Sequence, residues 1–259
     1  MPIWLESVPG LTVALAIFGL CLGSFLNVVI HRVPEGASLL RPKSHCPSCG
    51  EPVAIRDNVP LMGWLLLRGR CRHCRIPIST RYPMVELLGA ICVLLGAVTA
   101  PDPAAATARS VFLLVMVAVF FIDFEHRIIP DVITLPGAAI GMIASPLFGV
   151  ARIDSVIGAG AGALLLWLLG WIYSQARGRE GMGGGDIKLA ALLGACLGWQ
   201  GLLLTLMAGS LLGTVTGFIL ILGRRSSWLT QLPYGSFLAP AAVASLIWGP
   251  AVWSWYLAL

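Results

Sequence analysis

Long apolar runs that contain almost no charge constrain this chain more than any other feature. The first extends from Leu11 to Ile30, and further runs lie at about 84–99, 110–123, 132–149, 153–174, 187–199, 201–222 and 236–257. A helix of about 20 apolar residues spans the hydrocarbon of a bilayer. Charged residues make up only 11% of the 259 residues, against roughly a quarter in soluble domains. The runs therefore predict an all-α polytopic membrane protein with about eight transmembrane helices.

One extended polar segment, residues 32–82, separates the first apolar run from the second. We therefore expect a first transmembrane helix over 1–31, an insert over 32–82 and a membrane-embedded core over 83–259. No basic segment precedes the first run and no clear cleavage site follows it. We expect this run to be a retained helix rather than a signal peptide.

The basic residues predict the orientation of the helices. Lys and Arg accumulate in cytoplasmic loops. If the amino terminus is outside, all of the 17 basic residues except Arg109 and Arg152 fall in or beside inner loops. This asymmetry predicts that both termini face outward and that the insert is cytoplasmic.

Four of the seven cysteines lie in the insert, as the pairs Cys46-Pro-Ser-Cys49 and Cys71-Arg-His-Cys74. Two such pairs supply four thiolates for one tetrahedral zinc ion, and a closed site of this kind is structural. Disulfides are the alternative, although a reducing cytoplasm opposes them. His45 and His73 could substitute as ligands, but with four cysteines available we expect them to be bystanders. The pattern favours structural zinc in an insert between helices 1 and 2.

A glycine-rich segment, Gly181-Met182-Gly183-Gly184-Gly185, ends in Asp186 at the start of an apolar run. Acids are rare in such chains because a charge in lipid is costly. Glycines allow another backbone to approach closely, which a protease needs when an extended substrate lies against its catalytic acid. The alternative is a loop whose Asp186 caps the following helix.

Asp123 closes the third apolar run. In the orientation above, the third helix runs inward and the sixth outward, so Asp123 and Asp186 lie at one depth near the inner boundary. Apposed carboxylates share a proton, and one can activate water while the other donates to a carbonyl oxygen. This is aspartyl protease chemistry, and two unrelated boundary acids are the alternative. Asp131 fits the cap of the fourth helix better, and Glu86 fits the first turn of the second, where an acid favours the helix dipole.

At these residues the chain resembles the prepilin peptidases, the membrane aspartyl proteases of type IV pilus and type II secretion systems. The resemblance covers nearly the full length. It rests on Gly23-Ser24-Phe25-Leu26-Asn27, Arg32-Val33-Pro34, the two cysteine pairs, Asn58-Val59-Pro60, Leu67-Arg68-Gly69-Arg70-Cys71, Arg81-Tyr82-Pro83 with Glu86, Asp123 with Ile129-Pro130-Asp131, and the segment 181–186 followed by Lys188-Leu189. The order and spacing of these motifs together are highly specific.

The resemblance implies that Asp123 and Asp186 are the catalytic pair of an aspartic endopeptidase in the bacterial inner membrane. Gly183, Gly184, Gly185 and Lys188 would form the loop that faces the substrate. The expected reaction is cleavage of a basic leader after a glycine, at the cytoplasmic face, just ahead of the apolar helix of a prepilin or pseudopilin. Membrane lipid is expected as a partner and nucleic acid is not.

The resemblance also implies a second activity. Members with the cysteine insert usually N-methylate the new terminus with S-adenosylmethionine, so we expect both activities here. Asn58, Arg68, Arg81 and Glu86 are the methyl-donor candidates by motif position, although the insert has no Gly-rich Rossmann pattern.

Three other classes of protein compete with this interpretation. A transporter would place acids at mid-membrane and often shows repeated halves, whereas these acids lie at the boundary and no repeat is visible. A zinc-binding membrane scaffold would not need Asp186. A presenilin-type intramembrane protease is nearest in chemistry but lacks the cysteine insert.

Overall fold

The computed structural model of the chain describes residues 2–6, 8–41, 44–179, 182–223 and 232–258. Its helices are α1 Ile3–Glu6, α2 Leu11–Arg32, α3 Met62–Leu66, α4 Arg81–Thr99, α5 Pro103–His126, α6 Asp131–Ala144, α7 Arg152–Arg177, α8 Gly184–Leu222 and α9 Gly235–Leu257. Short 3₁₀ helices cover Ile55–Asp57 and Ser145–Phe148. Within the described ranges the remaining regular pairing is two isolated bridges, so the all-α prediction is confirmed.

Seven of the helices in the described residues are long and apolar enough to cross a bilayer, namely α2, α4, α5, α6 with its 3₁₀ extension, α7, α8 and α9. The sequence predicted about eight because it counted 187–199 and 201–222 separately. These two runs follow one another in α8, but a non-helical residue, Gly198, divides them.

Helix α8 is a hairpin with two arms. Gly198 has φ 69° and ψ 176°, which is not a helical conformation, and it divides the helix into arms 184–197 and 199–222. A Cβ built on Gly162 of α7 would lie 3.0 Å from Ala190 O and 2.6 Å from Leu202 Cδ2, one residue from each arm. In a straight helix these residues would be about 18 Å apart. The chain therefore folds back at Gly198, and both arms pack on α7.

Helix α5 is longer than its apolar run. The sequence predicted a short span at 110–123, whereas the helix covers Pro103–His126. Pro103 suits the first position of a helix, and the Asp102 carboxylate accepts the N–H of Ala105 at 2.9 Å as an N-terminal cap. The added residues form helix readily but are too weakly apolar to extend the run.

The described chain divides into two compact units, and the boundary between Ala118 and Val119 falls within α5. In the first unit α2 packs on α4 through glycines. A Cβ on Gly19 or on Gly23 would lie 2.6 Å from the α4 backbone, and a Cβ on Gly89 would lie 2.4 Å from Gly19 O. Small residues allow such close approach of membrane helices. The insert of this unit therefore connects two tightly packed helices, α2 and α4.

Candidate active site and metal centre

Helix α5 carries Asp123 in its last turns, where the residue is only 5% exposed. Ser236, at the start of α9, donates its backbone N–H to Asp123 Oδ2 at 2.7 Å. The Ser236 hydroxyl lies 3.1 Å from the same oxygen and 3.2 Å from Phe120 O. One carboxylate oxygen of Asp123 is therefore held by main-chain and side-chain donors of a single residue.

The chain turns sharply after α5. Arg127 has a positive φ of 55°, and its N–H donates to Asp123 O at 2.8 Å. This left-handed residue ends the helix, and Pro130 then precedes α6. The turn carries Ile129 inward, where it is buried.

Ile129 packs between the starts of α8 and α9. A Cβ on Gly185 would lie 3.0 Å from Ile129 Cβ, and a Cβ on Gly235 would lie 2.7 Å from Ile129 Cδ1. The same Cβ on Gly235 would lie 3.0 Å from Asp123 Oδ2. Glycine at both positions allows the starts of α8 and α9 to pack closely against Ile129, and a side chain at either position would need Ile129 to shift.

Asp186 lies in the first turn of α8, directly after Gly185, and is half-buried. Its backbone N–H donates to Gly183 O at 3.1 Å. The preceding residue, Gly185, packs against Ile129, and Ile129 also lies against Gly235 beside Asp123 Oδ2. The structure thus brings together the two acids that the sequence singled out.

The remaining residues of the predicted loop differ in their surroundings. Gly183 and Gly184 are exposed, and a Cβ on Gly184 would contact nothing within 4 Å. Lys188 forms an ion pair with Asp131, with Nζ 2.7 and 2.6 Å from the two carboxylate oxygens. Pro130 occupies the N-terminal cap position of α6, so Asp131 is the first helical residue and the partner of a lysine rather than the predicted cap. Gly181, the first glycine of the motif, lies outside the described residues.

Sequence reasoning missed Ser236. The contact with Asp123 joins residues 113 positions apart, and a serine at a helix start has an ordinary capping explanation. The predicted topology could have pointed to Ser236, because the last helix begins at the same predicted depth as Asp123 and Asp186. A polar residue at that point, preceded by Gly235, was a candidate for the same site.

The four insert cysteines form one cluster. Their Sγ atoms all lie within 4.8 Å of one another, and Cys46 and Cys74 are 3.7 Å apart. Sulfurs about 2.3 Å from a tetrahedral zinc are about 3.8 Å apart, whereas a disulfide bond is about 2.05 Å long. The cluster therefore fits a metal ion and opposes the disulfide alternative.

The two cysteine loops have the same hydrogen-bond pattern. Cys46 N–H donates to Glu51 O, and Cys71 N–H donates to Ile76 O, both at 2.9 Å. Backbone N–H groups of Cys49 and Ser48 lower the pKa of Cys46 to about 6. Those of Cys74 and His73 lower the pKa of Cys71 in the same way. The loops therefore favour the metal-binding thiolate form at the first cysteine of each pair. For Cys49, the backbone N–H of Glu51 is outweighed by burial and the neighbouring thiols, which raise its pKa to about 12.

The predicted methyl-donor residues occupy different places in the first unit. Glu86 Oε2 accepts the N–H of Leu61 at 2.8 Å and so ties the insert to α4. Arg81 begins α4, with its guanidinium 5.3 Å from the Tyr82 ring centre. Asn58 is exposed at the end of the 3₁₀ helix. Arg68 lines a cleft with Leu66, Leu67, Arg70 and Arg75.

Comparison of the sequence with known proteins identifies the family of the chain. Residues 17–100 match the bacterial peptidase A24 N-terminal domain, and residues 110–218 match the type IV leader peptidase family. The chain is 42% identical over 266 residues to a prepilin leader peptidase/N-methyltransferase of Aeromonas hydrophila, covering 93% of this chain and 92% of that protein. It is 38% identical over 284 residues to the protein of the same name from Pseudomonas putida, covering 98% and 97%. No solved structure matches the chain. The chain belongs to the type IV leader peptidase family.

Proposed function

We propose that this chain cleaves the leader from type IV prepilins or pseudopilins with Asp123 and Asp186 as an aspartyl dyad, and that it then N-methylates the new terminus. The names of its relatives support both activities. The observation that supports the dyad is the packing around Ile129, because Gly185, which precedes Asp186, and Gly235, which lies beside Asp123 Oδ2, both pack against this side chain.

In the proposed mechanism, one carboxylate takes a proton from a water molecule as that water attacks the scissile carbonyl carbon. The other carboxyl group donates its proton to the carbonyl oxygen, which forms the tetrahedral intermediate. Collapse of that intermediate breaks the C–N bond, and the amine leaves with a proton. Ser236 holds Asp123 Oδ2 and so fixes the orientation of that carboxyl group during these transfers.

Gly183 and Gly184 are proposed to admit the substrate backbone. Their exposure and the open space around Gly184 leave room for an extended peptide beside Asp186. Lys188 is proposed to lie at the rim of the site as the exposed partner of Asp131 and not to contact the reacting bond.

Membrane position is proposed to be part of the specificity. The protein would lie in the bacterial inner membrane with both termini in the periplasm and the dyad at the cytoplasmic face. The Lys and Arg of the leader would stay at the anionic cytoplasmic surface while the pilin helix lies in lipid. Only the junction between them would then reach the depth of Asp123 and Asp186.

Methyl transfer is proposed to use S-adenosylmethionine and to depend on the first unit. Asn58, Arg68, Arg81 and Glu86 remain the candidates from motif position. The cysteine cluster is proposed to hold a structural zinc ion through Cys46, Cys49, Cys71 and Cys74. That ion would stabilise an insert too small for a substantial apolar core.

Incubation of the purified full-length protein with a prepilin tests the proposal. Mass spectrometry should show loss of the leader and, with S-adenosylmethionine present, a gain of one methyl group. Absence of cleavage across several prepilins by folded protein would reject it.

A further inference from the structure

Helix α3 of the insert has one packed face and one bare face. A Cβ on Gly63 would lie 2.0 Å from Asp57 O, and Trp64 Nε1 donates to Ile78 O at 3.2 Å, so these two residues face the insert. Met62, Leu65 and Leu66 are 52%, 59% and 72% exposed. Positions i, i+3 and i+4 share one side of a helix, so α3 presents a continuous apolar face.

The depth of this face in the bilayer is inferred from its connection to α4. Leu61, directly before α3, donates its N–H to Glu86. Glu86 is five residues after the start of α4 at Arg81, which is about 7.5 Å along the helix. With 19 residues, α4 is about 28 Å long, close to the thickness of the hydrocarbon layer. A helix α4 that crosses the hydrocarbon layer would have its start at the boundary between headgroups and acyl chains, and the bond to Glu86 would then hold α3 within the first 10 Å or so of that boundary.

Positive charge lies beside the apolar face. Arg68, Arg70 and Arg75 line a cleft of about 550 Å³ together with Leu66 and Leu67. None of these three arginines forms an ion pair with a carboxylate in the part of the chain that the structure describes. Arg72, in contrast, forms a bidentate ion pair with Asp57, in which Nε and Nη2 lie 2.7 and 2.5 Å from the two carboxylate oxygens.

We propose that α3 is an interfacial anchor that inserts Met62, Leu65 and Leu66 into one leaflet and binds the phosphate of an anionic phospholipid in the adjoining arginine cleft. An apolar face that penetrates by about 5–10 Å beside basic residues is the usual arrangement of such helices. The cysteine cluster would then stabilise a platform on the membrane surface, because Trp64 joins α3 to the second cysteine loop. This proposal depends on the membrane-spanning helices and not on the assignment of Asp123 and Asp186.

Photo-crosslinking of the full-length protein tests the anchor. The chain carries p-benzoylphenylalanine in place of Leu66 and is placed in nanodiscs of phosphatidylglycerol and phosphatidylcholine in equal amounts. Mass spectrometry identifies the adducts after illumination. The same label in place of Val13, an exposed residue of α2, is the positive control for reaction with lipid.

We expect lipid adducts at position 66, with phosphatidylglycerol enriched severalfold over phosphatidylcholine. Each arginine near the surface contributes about fivefold, so Arg70→Gln/Arg75→Gln should bring the reaction of the two lipids close to equality. The control variant Arg41→Gln/Arg56→Gln removes the same charge from exposed arginines outside the cleft. It should retain most of the phosphatidylglycerol enrichment. Arg68 is left unchanged so that methylation is not affected.

Three results would overturn the proposal. The first is an absence of adducts at position 66 while Val13 still reacts. The second is crosslinking to another copy of the chain or to added prepilin instead of lipid. The third is equal reaction with both lipids in the protein that retains all its arginines.

Discussion

Replacement of Ser236 by alanine is the most informative single change near the proposed dyad. The substitution removes the hydroxyl that lies 3.1 Å from Asp123 Oδ2 but keeps the backbone N–H that donates to the same oxygen at 2.7 Å. The residue is buried at the start of α9, and alanine is smaller, so no clash is introduced. The dyad loses one of its two donors from Ser236 without losing its packing.

A hydrogen bond to a charged group contributes about 1.5–3 kcal/mol. If the hydroxyl acts in the transition state, its loss lowers kcat by about 10- to 150-fold. KM should change little, because Ser236 lies behind Asp123 and contacts α5 rather than the exposed glycines. Ser236→Thr keeps the hydroxyl and should recover most of the rate.

Leader removal from a purified prepilin, followed by mass spectrometry over a range of substrate concentrations, separates kcat from KM. Thermal unfolding of each variant shows that it remains folded. A folded Ser236→Ala protein that cleaves at the wild-type rate would refute the positioning role. Equal losses in the alanine and threonine variants would show that bulk at the start of α9, and not the hydroxyl, matters.

Further predictions concern the glycine loop, the insert and the metal. Gly184→Val should fold normally because its Cβ meets no neighbour, yet it should cut cleavage at least tenfold by blocking the substrate backbone; normal cleavage would reject that path. Glu86→Gln retains an acceptor for the Leu61 N–H and should keep the insert in place, whereas Glu86→Ala leaves that N–H unpaired and should destabilise the insert by about 1–3 kcal/mol; loss of methylation in the folded glutamine variant would show that the charge of Glu86 takes part in methyl transfer, and retained methylation would show that its role is to position the insert. Cys46→Ser should reduce bound zinc from about one ion per chain to almost none and loosen the insert, whereas Cys21→Ser in α2 should leave the zinc content unchanged.

The helices were largely predictable because each apolar run has the length of a bilayer crossing. The ends of the helices were harder to predict, because capping and backbone conformation determine where a helix begins and ends. The Asp102 cap extends α5 by several residues beyond its apolar run. The sequence shows a glycine at position 198, but it does not predict the positive φ of that residue. This conformation depends on the packing of both arms of α8 on α7.

The candidate site was predictable to the extent that depth in the membrane follows from topology. Asp123 and Asp186 were paired in this way, and the packing of Gly185 and Gly235 against Ile129 fits that pairing. Ser236 and Ile129 were not predicted, because their roles depend on contacts between distant segments. Lys188 was expected in the loop, but its ion pair with Asp131 requires the three-dimensional arrangement.

The four cysteines were the easiest part of the site to predict, because ligand type and spacing specify a tetrahedral thiolate cluster almost without tertiary information. The bare face of α3 was harder to recognise. Within a polar segment, Met62, Leu65 and Leu66 resemble the core of a small domain, and only their exposure in the folded insert marks them as available to lipid.

Cleavage of a prepilin by Asp123→Asn and Asp186→Asn proteins tests the central claim most directly, with Asp131→Asn as the matched control. Asp131 is an acid near the same segment whose carboxylate is occupied by Lys188. Both dyad variants should lose detectable cleavage and keep methylation of a pilin that has already been cut, while Asp131→Asn should cleave at close to the wild-type rate. Cleavage by either folded dyad variant, or an equal loss in Asp131→Asn, would contradict the account.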